Sequence, residues 1–473
     1  MNRYKAVVIG AGPAGHTCAV RLAQLGARVA VIERDFVGGI CTNWGCTPSK
    51  SMIESAKIAR NVREAARFGI NVTSFWVDFA KVAARRDEVI LRSRGMVARL
   101  LAHHGVEVLQ GEAQIVSPTR LRIRHGKLGV DGLDMSYTGN ETELEADHIV
   151  VATGSRPLMP SWAPADHPYI VSSNRLITIG ALPESLTIVG GGVIGLEFAT
   201  IFSNMGTRVT IVEFQDRILG YADADISHAL TEELKLAGVR ILTGHEVLSV
   251  EEGYVQAENR LTGEVVDIPG RAVLMAIGRQ PVIDTEVFAR LGIEHSERGI
   301  DVDERLRTNV PNIWAVGDAT GKSILAHVGM QQGVVCAENI ASGGESARKM
   351  DYAVIPAVVY SIPEVVTVGT VPPDDVRVTS FKVAFSANLR ARIEAYEEGF
   401  VKIWVRDGVV IAAQSIGYCV SELMQELANM IALQTPIEDV ADIIHAHPTY
   451  SEITRSVLDY SLGRATDFVP PQR

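Results

Sequence analysis

The 473-residue sequence predicts an α/β fold built from two Rossmann-like dinucleotide-binding domains and a C-terminal α+β domain. Three observations carry that expectation. First, the buried-strand run Lys5-Ala6-Val7-Val8-Ile9 enters Gly10-Ala11-Gly12-Pro13-Ala14-Gly15. A helical stretch to about Gly26 follows, then the β-branched run 28–32 and Glu33. Second, the same order returns at Leu186-Thr187-Ile188-Val189, then Gly190-Gly191-Gly192-Val193-Ile194-Gly195, a helix to about Met205, and a strand from Arg208 to Glu213. From Gly10 to Glu33 and from Gly190 to Glu213 the distance is the same 23 positions. One glycine motif is weak support; two complete strand–turn–helix–strand units at one spacing are strong. Third, from about Asp351 the character changes to strand patterns (353–368, 400–414) followed by helical ones (421–433, 437–446).

Between the two units, residues 50–105 read as helical and 107–152 as strands ending in Ala152-Thr153-Gly154. The polar, glycine-containing stretch 125–145 reads as surface hairpins or an insertion, and the second unit closes with a similar strand ending at Gly278. The tail 467–473, with Pro470 and Pro471, reads as irregular.

The glycine turns specify chemistry. Glycine lets the main chain turn tightly and approach a pyrophosphate, and the helix N-terminus behind it offers free N–H groups and a positive dipole end. Gly10, Gly12 and Gly15 serve the first turn, and Gly190, Gly192 and Gly195 the second. Glu33 and Glu213 stand where a carboxylate accepts hydrogen bonds from adenosine ribose hydroxyls. A carboxylate at 213 repels a 2′-phosphate, which favours NAD over NADP, while Arg208 and Arg217 nearby pull slightly the other way. Asn312-Ile313-Trp314-Ala315-Val316-Gly317-Asp318 reads as a strand ending in a turn and by pattern alone has no role.

Directly after the first unit comes Cys41-Thr42-Asn43-Trp44-Gly45-Cys46-Thr47-Pro48-Ser49-Lys50. Five positions on an ideal helix rise ~7.5 Å, too far for relaxed disulfide geometry, so a bridge would need a distorted backbone. Pro48 suits a first helical turn, which would place Cys46 near a helix N-terminus with Lys50 close by, a setting that favours thiolate. Two buried core thiols and a metal site stay open as readings of the pair, although the C-x2-C spacing usual for zinc is missing. Cys18, Cys336 and Cys419 sit in apolar surroundings without a spaced partner and read as structural thiols.

Charge and cysteine usage set outer limits. A formal net charge of −11 opposes nucleic-acid binding, and five cysteines in 473 residues exclude a disulfide scaffold. The opening apolar run is too short for a signal-peptide core, and no stretch is long enough to span a bilayer. The expectation is a cytoplasmic protein.

In combination, the two glycine units, Cys41-x4-Cys46-x-Pro48-Ser49-Lys50, Ala152-Thr153-Gly154, Ala276-Ile277-Gly278-Arg279-x-Pro281, Gly317-Asp318 and His445-Ala446-His447-Pro448-Thr449-Tyr450-Ser451-Glu452 resemble the flavin-dependent pyridine nucleotide–disulfide oxidoreductases, in order and over essentially the whole chain. The resemblance implies FAD and NAD as cofactors. It divides the chain into an FAD-binding domain (1–157 and 281–348), an NAD-binding domain (158–280) and a dimerisation domain (349–473). It assigns Gly10, Gly12, Gly15, Glu33, Thr153, Gly154, Gly317 and Asp318 to FAD. Gly190, Gly192, Gly195, Glu213 and Gly278 go to NAD, and Lys50 with Glu197 to a pair near the flavin ring. Cys41 and Cys46 become a redox disulfide, with Cys46 facing flavin and Cys41 exchanging with substrate. His447 becomes the base and Glu452 its orienting carboxylate, both supplied by the other subunit of a homodimer. Without the resemblance, His445-x-His447 reads as a structural pair.

Within the family the chain is most similar to members that oxidise the dihydrolipoyl dithiol of a carrier protein with NAD+. The carrier would belong to a 2-oxoacid dehydrogenase complex, to the glycine cleavage system or to another lipoyl system. The alternatives are a related reductase acting on another thiol or disulfide, and a soluble transhydrogenase. Mercuric reductases carry a C-terminal cysteine pair absent after Cys419, Ser49 and Glu213 oppose the glutathione reductases, and Cys46 opposes the transhydrogenases. Thr42, Trp44 and Thr47 depart from the usual aliphatic residues around the cysteines, 328–332 lacks the acidic residues usual there, and Cys419 stands in a segment usually rich in glycine and alanine.

Overall fold

The computed structural model describes residues 2–128, 135–163, 167–343, 348–372 and 375–470. Strand β1 (Asn2–Ile9), helix α1 (Pro13–Gln24) and strand β2 (Val29–Glu33) form the first unit. β1 pairs in parallel with β2 on one side and with Met135–Val151 on the other. Glu107–Gln110 extends the sheet beyond β2, and Ile313–Ala315 returns from far along the chain to extend it beyond Met135–Val151, both in parallel. Every residue of β2 is buried, as a parallel strand covered on both faces requires. The hairpin expected over 125–145 forms from Arg120–Leu128 and Met135–Val151, its tip lying outside the described residues.

The second unit is a five-stranded parallel sheet in the order Arg240–Thr243, Arg208–Glu213, Ser185–Val189, Ala272–Met275, Ile170–Ser172. An antiparallel sheet inserted before Ala272 covers one face, where Val255, Ala257 and Ile268 pack on Val189, Val212 and Val273. The helix Val193–Met205 covers the other. It is buried nearly all round, because its outer side packs on the helix that carries Cys46.

The helical stretch expected over 50–105 is two helices after a short α2 (Gly39–Asn43): α3 (Cys46–Glu64) and α4 (Phe79–His103). Gly69 in a left-handed turn ends the first part, and Asp78 caps α4 by accepting the Lys81 N–H at 3.2 Å. The ribbon Ser155–Pro157 with Arg279–Pro281 ties the two units together where each sheet ends.

The C-terminal part is a five-stranded antiparallel sheet with Gln425–Leu433 and Glu452–Ser461 packed into its core. Three expectations change here. The 353–368 strand splits into Ala357–Val359 and Glu364–Gly369 around the cis peptide Ile362–Pro363. The 421–433 helix is two, Val420–Leu423 and Gln425–Leu433. The 437–446 helix stops at Ala441. Ile443 and Ile444, which completed its apolar pattern, face solvent, so no buried stripe extends it. Residues 467–470 form neither helix nor strand.

Both glycine turns are enforced by contact. A Cβ at Gly15 would stand 1.9 Å from Gly10 O, and one at Gly195 2.0 Å from Gly190 O, whereas Gly192 has nothing within 4 Å. Gly195→Ala is therefore expected to destabilise the protein by about 2–4 kcal/mol. Gly192→Ala should stay within about 1 kcal/mol. Urea denaturation followed by tryptophan fluorescence checks both, and equal midpoints would contradict the steric argument.

Candidate active site

The two cysteines meet because the helix between them breaks. α2 ends at Trp44, Gly45 takes φ −127° and ψ −110°, and α3 starts afresh at Cys46. A Cβ at Gly45 would lie 3.0 Å from Ile40 O and 3.4 Å from Cys41 Cα, so a side chain there would push the two turns apart by a few tenths of an ångström. Both residues are thiols in this structure, and the Cys41 S–H donates to the Cys46 sulfur. That hydrogen bond, first, and then Lys50 and the helix's own N-terminal N–H hold Cys46 down to about 7 against the opposing effects of burial and Glu197. The same hydrogen bond and burial push Cys41 well up. Sequence places Cys46 and Lys50 at i and i+4 on one face of α3, which is why the amine reaches the sulfur's surroundings.

Lys50 Nζ donates to both oxygens of Glu197, each at 2.8 Å, across the contact between α3 and Val193–Met205. Glu197 is buried and also accepts the Tyr360 N–H at 3.3 Å, and the Tyr360 ring lies 4.5 Å from Lys50 Nζ. Tyr360 belongs to the C-terminal part and had no signal in the sequence.

The glutamates at the ends of β2 and Arg208–Glu213 make matching contacts. Glu33 accepts from Ala11 N at 2.6 Å and Asp35 N at 2.8 Å; Glu213 accepts from Gly191 N at 2.5 Å and Gln215 N at 2.7 Å. Burial pushes the Glu33 carboxyl up, against the pull of those two N–H groups. A carboxylate accepts about four hydrogen bonds, so each glutamate keeps acceptor sites for ribose hydroxyls. Neither Gly12 nor Gly192 places a side-chain cap on the helix it opens, which leaves the first N–H groups of both helices for an anion. The residues present fit two dinucleotides.

Of the two arginines that lie near Glu213 in sequence, Arg208 begins its strand at the far end and pairs with Glu184 at 2.7 Å, away from Glu213. Arg217 donates to Gly220 O at 2.9 Å. The cation beside the site is instead Arg260, from a distant hairpin, whose guanidinium lies 3.7 Å from the Phe214 ring centre and donates to Phe214 O at 3.0 Å.

At the crossing of the two units, Thr153 Oγ1 donates to Val282 O at 2.7 Å, Val282 N donates to Gly154 O at 2.9 Å, and Leu158 N donates to Gly278 O at 3.0 Å. Ser155 Oγ donates to Asp318 Oδ2 at 2.5 Å, and Arg279 donates to Ser155 Oγ at 2.8 Å and Ser155 O at 2.9 Å. Burial pushes Asp318 up, against the Ser155 hydroxyl and Arg279. Fully buried Gln332 accepts the Gly317 N–H at 2.6 Å and donates to Tyr352 Oη at 2.8 Å. The loss of acidic residues over 328–332 thus comes with an amide that can both accept and donate. Ser155 and Gln332 carry no sequence signal for these roles, and Arg279, although it stands in the motif from Ala276 to Pro281, has none for its contact with Ser155, because nothing in a local pattern marks a partner in a distant segment or a turn fifteen residues back.

His447 Nδ1 meets Glu452 Oε1 at 2.8 Å, and Glu452 Oε2 accepts Thr449 N at 2.8 Å. Against burial, those partners hold the Glu452 carboxyl below its usual range. His447 is exposed and its Nε2 has no hydrogen-bond partner among the described residues, while His445 Nε2 is tied to Glu426 at 3.1 Å. Among the described residues, no hydrogen bond or ion pair joins His447 or Glu452 to Cys41, Cys46 or Lys50 of the same chain.

Two departures around the cysteines face inward. Thr42 and Trp44 are buried, Trp44 against Phe36 with ring centres 6.2 Å apart. Cys419 is not the apolar buried thiol expected: it is half-buried at φ +56° beside Tyr418, with Lys57, Glu364 and Glu394 near it. Cys18 and Cys336, expected to be solitary, contact each other between α1 and Ala326–Ala341, in the core. No group of three or more His, Cys, Asp or Glu among the described residues is placed to hold a metal ion.

Residues 4–333 match the model of the pyridine nucleotide-disulphide oxidoreductase family, and 355–457 match that of the family's dimerisation domain. The chain is 36% identical over 470 residues to a dihydrolipoyl dehydrogenase of Halobacterium salinarum, covering 97% of this chain and 96% of that one. It is 36% identical over 467 residues to that of Geobacillus stearothermophilus, with the same coverages. Among solved structures it is similar to LpdA from Mycobacterium tuberculosis (29% identity, TM-score 0.85, covering 98% of this chain and 100% of that one). It is also similar to the Cu(II) complex of the HOCl-induced flavoprotein disulfide reductase RclA from Escherichia coli (28% identity, TM-score 0.85, covering 97% and 100%).

The thiol contact sets a measurable property. Cys41→Ala removes the hydrogen bond that does most to stabilise the Cys46 thiolate, so the Cys46 midpoint should rise from about 7 towards the ordinary thiol value of about 8.5. The pH dependence of Cys46 alkylation by iodoacetamide in the reduced protein, read on the isolated peptide, measures it. An unchanged midpoint would show that Cys41 does not act on Cys46.

Proposed function

The chain belongs to the pyridine nucleotide–disulphide oxidoreductase family, and from that premise we propose that it is a dihydrolipoyl dehydrogenase using FAD and NAD. The observation that carries the reading is the Cys41–Cys46 pair, brought together by a helix break and set beside Lys50 at a helix N-terminus. For this chemistry the chain divides into FAD-binding segments 1–157 and 281–348, an NAD-binding domain 158–280 and a dimerisation domain 349–473. The pairing of Ile313–Ala315 with the first sheet supports the discontinuous first domain.

FAD would be held by the Gly10, Gly12 and Gly15 turn, Glu33, Thr153, Gly154, Gly317 and Asp318, and NAD by Gly190, Gly192, Gly195, Glu213 and Gly278. A flavin held there would supply the two-electron chemistry that links the thiols to the nicotinamide. The chain's own residues do the rest. In the oxidised enzyme Cys41 and Cys46 are joined, and a substrate thiolate attacks the Cys41 sulfur, releasing Cys46 as thiolate. The second substrate thiol then attacks the mixed disulfide, closing the lipoyl ring and freeing Cys41. A base must take the proton of the attacking dithiol near neutral pH, and histidine suits.

We assign that base to His447 of the partner subunit. Its Nε2 is open to solvent, Glu452 fixes the tautomer through Nδ1, and among the described residues no hydrogen bond or ion pair links the two to the thiols of their own chain. The chain carries the family's dimerisation domain, so the site is completed between two copies. Lys50 and Glu197 hold the positive charge that a thiolate at Cys46 needs. The substrate is the lipoyl group of a carrier protein, in a 2-oxoacid dehydrogenase complex, the glycine cleavage system or another lipoyl system of the cytoplasm. No helix among the described residues is long and apolar enough to cross a membrane.

Anaerobic reduction of NAD+ by free dihydrolipoamide tests this, with NADH and flavin absorbance followed together. Rapid NADH formation is expected. A flavin that NADH reduces while dihydrolipoamide is ignored would assign the thiols to another substrate. His447→Gln should cut turnover by ~10²–10⁴ while leaving NADH reduction of the flavin intact. Glu452→Gln should cost less, and Cys46→Ser should keep FAD yet abolish dithiol oxidation. Retained dithiol oxidation in that last variant would defeat the mechanism.

A further inference from the structure

We propose that Tyr360 is a positioning residue for the redox thiols: its ring holds the Lys50 amine against Glu197 and beside Cys46, so the C-terminal domain helps set the Cys46 thiolate of its own chain. The proposal rests on the reading of Cys41 and Cys46 as the redox pair. Three contacts carry it. The Tyr360 ring centre lies 4.5 Å from Lys50 Nζ, within cation–π range. The Tyr360 N–H donates to Glu197 Oε1 at 3.3 Å, the oxygen that also takes Lys50 Nζ at 2.8 Å. The strand leading into it, Ala357–Val359, ends in Val359, which is fully buried in the cluster that contains Trp44, Met52 and Leu196, so the ring is delivered by a fixed backbone.

A lysine amine on a four-carbon stem samples many rotamers unless it is held. Here it is held by a carboxylate through direct hydrogen bonds and by an aromatic face, and Glu197 is itself gripped by the Tyr360 backbone. The titratable groups that bear on Cys46 come from four elements: the neutral thiol of Cys41 on α2, Lys50 on its own helix, Glu197 on Val193–Met205, and Arg279 on the ribbon between the two units. Tyr360 faces Lys50, Glu364, Glu197 and Glu422, and burial pushes its phenol up, so it acts as a neutral ring. Of these groups Lys50 is a long flexible cation within reach of an aromatic face, and the dimerisation domain provides that face from within the same chain.

The test uses the full-length, flavin-loaded protein, reduced with dithiothreitol and freed of excess reductant without oxygen. Cys46 alkylation by iodoacetamide is followed against pH on the isolated peptide, for wild type, Tyr360→Phe, Tyr360→Leu and Tyr360→Met. Phenylalanine keeps the aromatic face, so Tyr360→Phe should keep the wild-type midpoint. The Leu and Met variants should raise it by about half a pH unit or more, with bound FAD per chain unchanged. In a Lys50→Met background, Tyr360→Leu should add no further shift. Leu and Met midpoints equal to wild type would overturn the proposal, as would equal shifts in Phe, Leu and Met. A wild-type Cys46 with no midpoint near neutrality would instead overturn the reading of the thiols on which it rests.

Discussion

Lys50 and Glu197 belong to helices from different glycine-turn units, and their contact lies where those units press on each other. α3 brings Lys50, Met52 and Ile53; Val193–Met205 brings Leu196, Glu197 and Phe198 into the same cluster. An ion pair in this position is not there for stability alone. Burying two charges costs several kcal/mol each, and an apolar pair of similar volume would hold the helices at least as well. Removing Lys50, whose side chain is one-third exposed, would leave the buried Glu197 carboxylate without its partner. What the pair supplies, and an apolar contact would not, is a fixed positive charge at a sulfur. Once that charge is required at Cys46, the close packing of the two helices and the approach of Tyr360 serve as its supports.

The two units solve one steric problem in the same way. Each needs a strand to turn into a helix within a few residues while the main chain stays open to an anion. In both, the third glycine presses on the carbonyl of the first at about 2 Å from where a Cβ would be, and the strand-end glutamate folds back to take an N–H of the turn. The glutamate thus braces the turn and keeps acceptor sites for a ribose. The units differ in the chain beyond that glutamate. After Glu33 it passes to the cysteine segment, and after Glu213 it passes to Phe214, which Arg260 covers.

The local nature of these turns explains how much was legible in the sequence. The positions and spacing of glycine and glutamate wrote both units out in full. The buried strands also showed, since a parallel strand covered on both faces must be apolar throughout. The approach of Cys41 to Cys46 was half legible: helix geometry said that a bridge would need a distorted backbone, and the structure places that distortion at Gly45. Contacts between distant segments were not legible. Ser155, Arg279 and Asp318 form one network from three places in the chain, and the motif around Arg279 gave no sign that its guanidinium would reach Ser155. Ile443 and Ile444 misled for the opposite reason. They carry helix-like periodicity, yet they face solvent in a chain whose C-terminal part is a dimerisation domain.

The two thiol contacts in the molecule show how little of the chemistry resides in cysteine itself. Cys18 and Cys336 touch as Cys41 and Cys46 do, but across two core helices whose neighbours are Ala, Val and Leu side chains. With water excluded and no cation near, a thiolate there is strongly disfavoured, and burial pushes Cys336 well above the ordinary range. Cys46 is open to solvent where Cys336 is not, and its sulfur accepts the hydrogen bond that Cys41 donates, whereas Cys336 is the donor to Cys18. It lies at about 7 because of that hydrogen bond first, and then because Lys50 stands one turn on and a helix begins at its own N–H. Solvent access, one lysine and one helix N-terminus separate an inert pair from a reactive one. The rest of the site, from Glu197 to the ribbon at Arg279, holds that lysine and that helix where they act.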